Sequence, residues 1–345
     1  MLFKNTLITW YLQNKRDLPW RKTKSPYHVW LSEIILQQTR VNQGLPYFEK
    51  FCKHFPTVFD LANAPESEVL KLWQGLGYYS RARNLHFTAK HIAENLNGVF
   101  PNNFNDLKKL KGVGDYTASA IASICFNEPT AVVDGNVYRV LSRYYGIKTP
   151  INSSKGIKEF KILAQSLIDK EQPDIYNQAI MDFGAMQCKP KSPDCSVCPF
   201  NASCESLKSN LIDLLPVKEK KLKVKKRYFN FLVLITPDNK TIIEERTGKG
   251  IWQNLYQFPL IETKVSIDEK ALISNENFKN WFPSDCDIQL FNPEEIIHKL
   301  SHQHLYTKFW VVKTSKTTLK TIKWNTVEKY PVPILIANFL KSFKR

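Results

Sequence analysis

The sequence predicts an all-α region over residues 1–205 followed by a smaller α+β domain over residues 228–345. Three observations carry this. Apolar residues recur at three- and four-residue spacing before residue 205, with no long β-branched alternating run. After residue 228 the pattern shifts to short apolar strands separated by turn residues. Between the two lies a lysine-rich stretch, 206–227, which carries +6 of the formal net charge of +17.

Taken in order, Ser25-Pro26 reads as a helix cap followed by proline at the first helical position. Val29, Trp30, Ile34 and Ile35 then recur at helical spacing, and so do Val137, Val140, Leu141 and Tyr144. Breaks fall at Gly75-Leu-Gly77, Gly112-Val-Gly114 and Asp134-Gly135. The 206–227 stretch, above all Lys218 to Arg227, reads as a linker held extended by like-charge repulsion, or as one that also touches phosphate. Beyond it, 229–235 and 241–245 are expected strands on either side of the turn residues Pro237-Asp-Asn239. Residues 255–260 and 305–314 are further expected strands, and 267–282 and 332–343 expected helices.

Composition narrows the function class. A chain of 345 residues with 43% hydrophobic and 12% aromatic residues is too apolar for a disordered protein. No run approaches the roughly 18 apolar residues of a membrane span. Met1 to Trp20 lacks the apolar core and cleavage site of a signal peptide. The expectation is a soluble cytoplasmic protein, not membrane-bound, whose basic balance suits nucleic acid.

Four of the seven cysteines, Cys188, Cys195, Cys198 and Cys204, fall within 17 residues. Such spacing lets one short loop wrap a metal centre. Disulfides fit poorly in a chain with no export signal. On thiolate chemistry alone, zinc and an iron–sulfur cluster remain equally open.

Leu110-Lys-Gly-Val-Gly114 lies between two helical patterns. Its backbone N–H groups can cradle a phosphate, although Gly-x-Gly also serves as an ordinary interhelical turn. Asp134, on a sharp turn after an apolar run, can cap the next helix or face a developing cation. Glu33 is flanked by Trp30, Ile34, Ile35 and Leu36. Burial there would raise its pKa and keep a proton available near neutral pH.

The cysteine window, the hairpin and Asp134 resemble the endonuclease III superfamily of helix-hairpin-helix DNA glycosylases. Lys111 stands where that hairpin usually has proline. Leu18-Pro-Trp-Arg21, Trp30-Leu-Ser-Glu33-Ile-Ile-Leu-Gln-Gln-Thr39 and Trp73-Gln-Gly-Leu-Gly-Tyr-Tyr-Ser-Arg-Ala-Arg83 narrow the resemblance to its adenine DNA glycosylase (MutY) branch, over residues 7–205. The resemblance implies a monofunctional hydrolase that flips and removes adenine opposite 8-oxoguanine or guanine in double-stranded DNA. It implies one four-iron four-sulfur cluster on Cys188, Cys195, Cys198 and Cys204. Glu33 would protonate the base and Asp134 would stabilise an oxocarbenium-like sugar, with Tyr116 and Asn136 beside them. Tyr116 stands where the lyase relatives carry a Schiff-base lysine. Arg21, Gln38, Thr39, Leu76, Tyr78, Gly112 and Gly114 would contact DNA.

Gly248 to Pro259 resembles the MutY C-terminal domain, itself Nudix-like. The paired glutamates of the Nudix metal box are missing, so nucleotide hydrolysis is not expected. Leu300-Ser-His302 resembles the loop that reads 8-oxoguanine, with Leu300 in place of the usual phenylalanine. Ser301 and His302 would make that contact. The protein is expected to act as a monomer, associated with the nucleoid in a bacterium. Two other readings stay open: a bifunctional lyase on oxidised pyrimidines, and a non-catalytic iron–sulfur DNA-binding module.

Overall fold

The computed structural model describes residues 2–219, 224–283 and 286–343. They fall into two compact units, Met1–Asn63 with Asn84–Lys220, and Ala64–Arg83 with Lys221–Arg345. The second unit therefore takes a segment, 64–83, from within the helical part of the sequence.

The first unit is helical. Its central helix, Asp115–Phe126, is buried from Thr117 to Ser123. Pro26–Leu36 and Pro173–Asp182 pack against it, and Pro173–Asp182 also meets Leu2–Asn14 and Gly135–Tyr145. Leu7, Val137, Leu141, Phe160 and Tyr176 meet in the core between these helices. Each such buried side chain contributes roughly 1.5–3 kcal/mol through area removed from water. Gly146 at φ 69 and Asn127 at φ 57 end their helices in the left-handed conformation that lets a chain turn away.

The helix start expected at Ser25-Pro26 is present, but its chemistry differs. Pro26 occupies the first turn, and Ser25 makes no side-chain cap bond. The Ser25 hydroxyl lies 3.0 Å from His28 Nδ1 instead.

The 206–227 stretch departs from an extended linker at both ends. Glu205–Lys208 is a helical turn, Leu215 is buried, and Val217 O accepts from Ile151 N at 3.0 Å. Lys225 already begins a strand. Residues 220–223 lie outside the described residues. Apolar anchors such as Leu215 thus outweigh charge repulsion over part of the stretch.

The second unit is built on a mixed sheet. Its strand order is Leu260–Thr263, Lys225–Ile235, Gln303–Lys313, Asp287–Leu290, with Ile296–Lys299 also paired to Gln303–Lys313. The two long central strands run parallel, with Phe231 opposite Phe309. Asn230 to Leu234 are buried in succession, because both faces of the sheet are covered. Phe309 stacks on Phe339 of the helix Ile334–Ser342, with ring centroids 4.2 Å apart. Leu232, Leu234 and Trp310 form the opposite core with Leu272 and Phe278.

The sequence pattern located the long strands and the last helix to within a few residues. It missed 287–290 and 296–299, whose burial is too slight for an apolar signature. The expected strand 241–245 is broken into Lys240–Thr241 and Glu244–Glu245, which pair with different partners. The expected 255–260 strand is likewise split into Tyr256–Gln257 and Leu260–Thr263, and the 267–282 helix into Glu269–Ser274 and Glu276–Trp281. Among the described residues, no helix is long and apolar enough to cross a membrane.

Candidate active site

Glu33 lies on the helix Pro26–Leu36, where every residue from Val29 to Ile35 is buried. A helix without a solvated face leaves Glu33 only 7% exposed. Burial pushes its pKa up to about 7, the nearby Asp134 adds to the rise, and the Tyr116 hydroxyl and Arg21 oppose it. Glu33, Tyr116, Asp134, Asn136, Arg21 and Thr39 line one cavity of about 680 Å³. That volume is ordinary for a small-molecule site.

Asp134 is the N-cap of the helix Gly135–Tyr145. Its Oδ1 accepts from the backbone N–H groups of Asn136 and Val137, both at 2.8 Å, and its Oδ2 from Asn136 Nδ2 at 2.8 Å. Capping and facing the cavity are therefore compatible roles of one carboxylate. Burial raises its pKa, against the lowering effect of those bonds and of Arg139. Desolvation is the larger influence, so the net direction is upward.

Tyr116 begins in the first turn after the hairpin and donates its hydroxyl to Met181 Sδ at 3.2 Å. Arg21 follows the buried Trp20 on a short 3-10 turn. It is held by Asp182, with Nη1 to Oδ2 at 2.6 Å and Nη2 to Oδ1 at 2.8 Å. Arg16 Nε bonds the same carboxylate at 2.9 Å. Gln38 is exposed one residue before Thr39, on the turn after the Glu33 helix, at φ 55. A non-glycine residue in that region carries strain of roughly 1–3 kcal/mol, a common mark of functional sites.

In the hairpin, Leu110 and Val113 are buried while Gly112 and Gly114 are exposed. Gly112 takes φ 82, and a Cβ there would lie 2.8 Å from Asn84 Cβ. Gly114 is extended, and a Cβ on it would meet nothing within 4 Å among the described residues. Conformation thus demands glycine only at 112, and Gly114 leaves open space before the helix N-terminus.

The four clustered cysteines line a second cavity with Val140, Arg143 and Phe200. Arg143, almost fully buried, bonds Lys189 O at 2.7 Å, Pro190 O at 3.1 Å and Leu215 O at 3.0 Å, and its Nη1 lies 3.5 Å from Cys188 Sγ. Arg139 Nε donates to Cys188 O at 2.7 Å, and Arg139 Nη2 to Asn136 Oδ1 at 2.8 Å. Among the described residues, no three His, Cys, Asp or Glu side chains converge closely enough to hold a single metal ion.

Leu76, Tyr78, Ser301 and His302 belong to the second unit. Leu76 is buried, Tyr78 is 47% exposed, and Ser301 and His302 are exposed. Sequence reading missed Asp182, Arg16, Arg139 and Arg143. The i, i+4 arginines on an otherwise apolar helix were the available signal for two of them. An aspartate at a helix end gave no signal of its own.

Residues 31–165 match the HhH-GPD superfamily of base excision DNA repair proteins, and residues 230–342 a NUDIX domain. The adenine DNA glycosylase of Buchnera aphidicola (Baizongia pistaciae) is 38% identical over 315 residues, covering 90% of this chain and 86% of that protein. The chain belongs to the adenine DNA glycosylase family. Membership makes it a base excision repair glycosylase. The human adenine DNA glycosylase is 31% identical over 99% of this chain and 73% of its own length. Among solved structures, a thermostable thymine-DNA glycosylase superposes with a TM-score of 0.56 at 30% identity, covering 60% of this chain and 96% of that one. An endonuclease III–DNA complex gives a TM-score of 0.53 at 23% identity, over 61% of this chain and 95% of that one. This second likeness concerns the fold.

Proposed function

We propose that this glycosylase removes adenine mispaired with 8-oxoguanine, or with guanine, from double-stranded DNA without cutting the strand. One observation carries the reading: Glu33 and Asp134 line the same cavity in unlike surroundings. Glu33 sits in an apolar helix with its pKa raised to about 7, and Asp134 receives three hydrogen bonds. Two carboxyls with different proton affinities can act at one pH as acid and as anion.

The target base is out of reach inside a duplex, so it must be flipped out at a cost of a few kcal/mol. Protonated Glu33 gives its proton to an imidazole-ring nitrogen of adenine. The glycosidic C–N bond then breaks and its electron pair passes to the base. Asp134 faces the positive charge left on the sugar, and Asn136 keeps that carboxylate in place. Water adds to the sugar carbon and returns a proton to Glu33, which restores the acid. Tyr116 steadies the Glu33 carboxyl. With tyrosine at 116, the lysine that lyase relatives use for an imine is replaced by a group that forms none.

Gly112 and Gly114 would present backbone N–H groups to a phosphate, and Arg21 a cation at the cavity. Gln38 and Tyr78 would enter the duplex, with Thr39 and Leu76 lining the gap, and stacking by Tyr78 would offset part of the unstacking. Ser301 and His302 would read 8-oxoguanine through hydrogen bonds. Cys188, Cys195, Cys198 and Cys204 would hold a four-iron four-sulfur cluster. All four thiols line one cavity, and four thiolates are the donor set such a cluster takes. The bound cluster would fasten the cysteine loop to the helix that carries Asp134.

A base-release assay on duplexes with adenine opposite 8-oxoguanine or guanine, and with an oxidised pyrimidine, tests the reading. Adenine release, with strand cleavage only after added alkali, is expected. Glu33→Gln should bind the duplex without releasing base. A borohydride-trapped protein–DNA adduct would overturn the monofunctional assignment, and binding without release from any duplex would overturn catalysis.

A further inference from the structure

The Gly75–Tyr78 turn carries a non-glycine residue, Tyr78, in the left-handed region, after two glycines that adopt positive φ freely. Gly75, Gly77 and Tyr78 take φ of 108, 74 and 47. Trp73 Nε1 donates to Gly77 O at 3.1 Å, and Arg81 Nη2 reaches both Leu76 O and Gly77 O at 3.3 Å. Arg81 also lies against the rings of Trp73 and Tyr78. Such a turn persists only where its surroundings over-determine it.

Those surroundings extend into the C-terminal part of the same unit. Gln74 Oε1 accepts from Val332 N at 3.2 Å. Lys71 Nζ donates to Tyr330 O at 3.1 Å and to Gln74 Oε1 at 3.4 Å. After the turn, the Tyr79 hydroxyl donates to Val332 O at 3.4 Å, and Arg83 Nη1 to Gln253 O at 2.8 Å. Both flanks of the turn are thus tied to Tyr330–Val332, just before the helix Ile334–Ser342. Through Phe339 that helix stacks on Phe309 of the strand Gln303–Lys313, which begins directly after Ser301 and His302.

We propose that Gln74 and Lys71 are positioning residues that lock the Tyr78 turn to Tyr330–Val332, so that lesion reading at Ser301–His302 and insertion of Tyr78 into the duplex occur as one event. The inference rests on the proposed substrate. Its physical basis is a continuous chain of packed and hydrogen-bonded groups within one unit. Gln74 Oε1 takes the Val332 bond directly and also accepts from Lys71 Nζ, which reaches Tyr330 O, so its removal loosens the tie without touching either DNA-contacting residue.

The test uses the full chain with Gln74→Leu and Gln74→Glu, the second of which keeps an acceptor oxygen. Single-turnover adenine release is measured opposite 8-oxoguanine and opposite guanine. A 2-aminopurine beside the lesion reports unstacking by fluorescence. In Gln74→Leu, the preference for 8-oxoguanine should fall about tenfold while release opposite guanine stays within about twofold, a coupling of ordinary size. Lesion-dependent unstacking should fall with it, and Gln74→Glu should restore both. Equal loss on the two duplexes, or failure of Gln74→Glu to restore, marks a merely structural role and overturns the inference. If the unaltered protein releases no adenine at all, the functional reading falls instead. The fluorescence then still decides, because unstacking that is indifferent to Gln74 overturns the tie.

Discussion

Arg21 grips Asp182 with both terminal guanidinium nitrogens, at 2.6 and 2.8 Å. Asp182 is completely buried, and Arg16 binds it from a second direction. Burial by itself would raise the Asp182 pKa, but the bonds from Arg21 and Arg16 outweigh it and hold the group below the usual carboxylate range. The last residue of one helix thereby fixes a cation in the wall of the cavity that contains Glu33 and Asp134.

Asp182→Ala should therefore destabilise the protein by roughly 3–5 kcal/mol, because it strands two guanidinium groups where one is mostly buried. Chemical denaturation at neutral pH measures this. The sign with pH follows from the depressed folded pKa: the stabilisation is full above the unfolded value near 4 and is lost as pH falls through the folded one. A variant indistinguishable from the unaltered protein in denaturation would mean that the network is energetically idle.

Glu33 behaves in the opposite sense. Its folded pKa, about 7, lies above the ordinary 4.5. Its contribution is fully present below the unfolded value and lost as pH rises through about 7. At pH 8 Glu33→Gln should thus be more stable than the unaltered protein, by up to about 3 kcal/mol. Base release should decline over the same rise in pH, since the acid loses its proton. Thermal melts and single-turnover rates across pH 5–9 check both expectations. A melting temperature lowered by the substitution at pH 8 would refute the burial account.

Gly112→Ala should lower stability by about 1–2 kcal/mol, from the left-handed φ and the close approach to Asn84. Gly114→Ala should change it by less than about 0.5 kcal/mol, because the site is open and the backbone extended. DNA affinity should nevertheless fall in Gly114→Ala, as a methyl group fills the space where a phosphate would approach. Denaturation and binding titrations on the two variants separate backbone demand from ligand demand.

The purified protein should carry about four iron and four sulfide per chain. Cys198→Ala should lower both and reduce the melting temperature. Elemental and sulfide analysis decides the matter, and one zinc per chain without sulfide would exclude the cluster.

Much of the architecture was legible before any coordinates. The Glu33 helix, the glycine hairpin, the clustered cysteines and the long strands around Phe231 and Phe309 all follow from local spacing. What escaped were interactions between distant residues. Nothing near Asp182 in the sequence indicates that Arg16 and Arg21 will meet it. Nothing in Leu70 to Arg83 shows that this segment groups with residues 221–345 rather than with its sequence neighbours.

By itself, the sequence determined the kinds of chemistry available: two carboxyls, four thiols, a glycine turn and an excess of basic residues. Those are properties of residue type and spacing, which operate over a few residues. Tertiary structure alone decided their states. It raised Glu33 by enclosing its helix on all sides, brought Arg16 and Arg21 onto Asp182, and tied the Tyr78 turn to Val332. Proton affinity and strain depend on what surrounds a group in space, and most of those neighbours are remote along the chain.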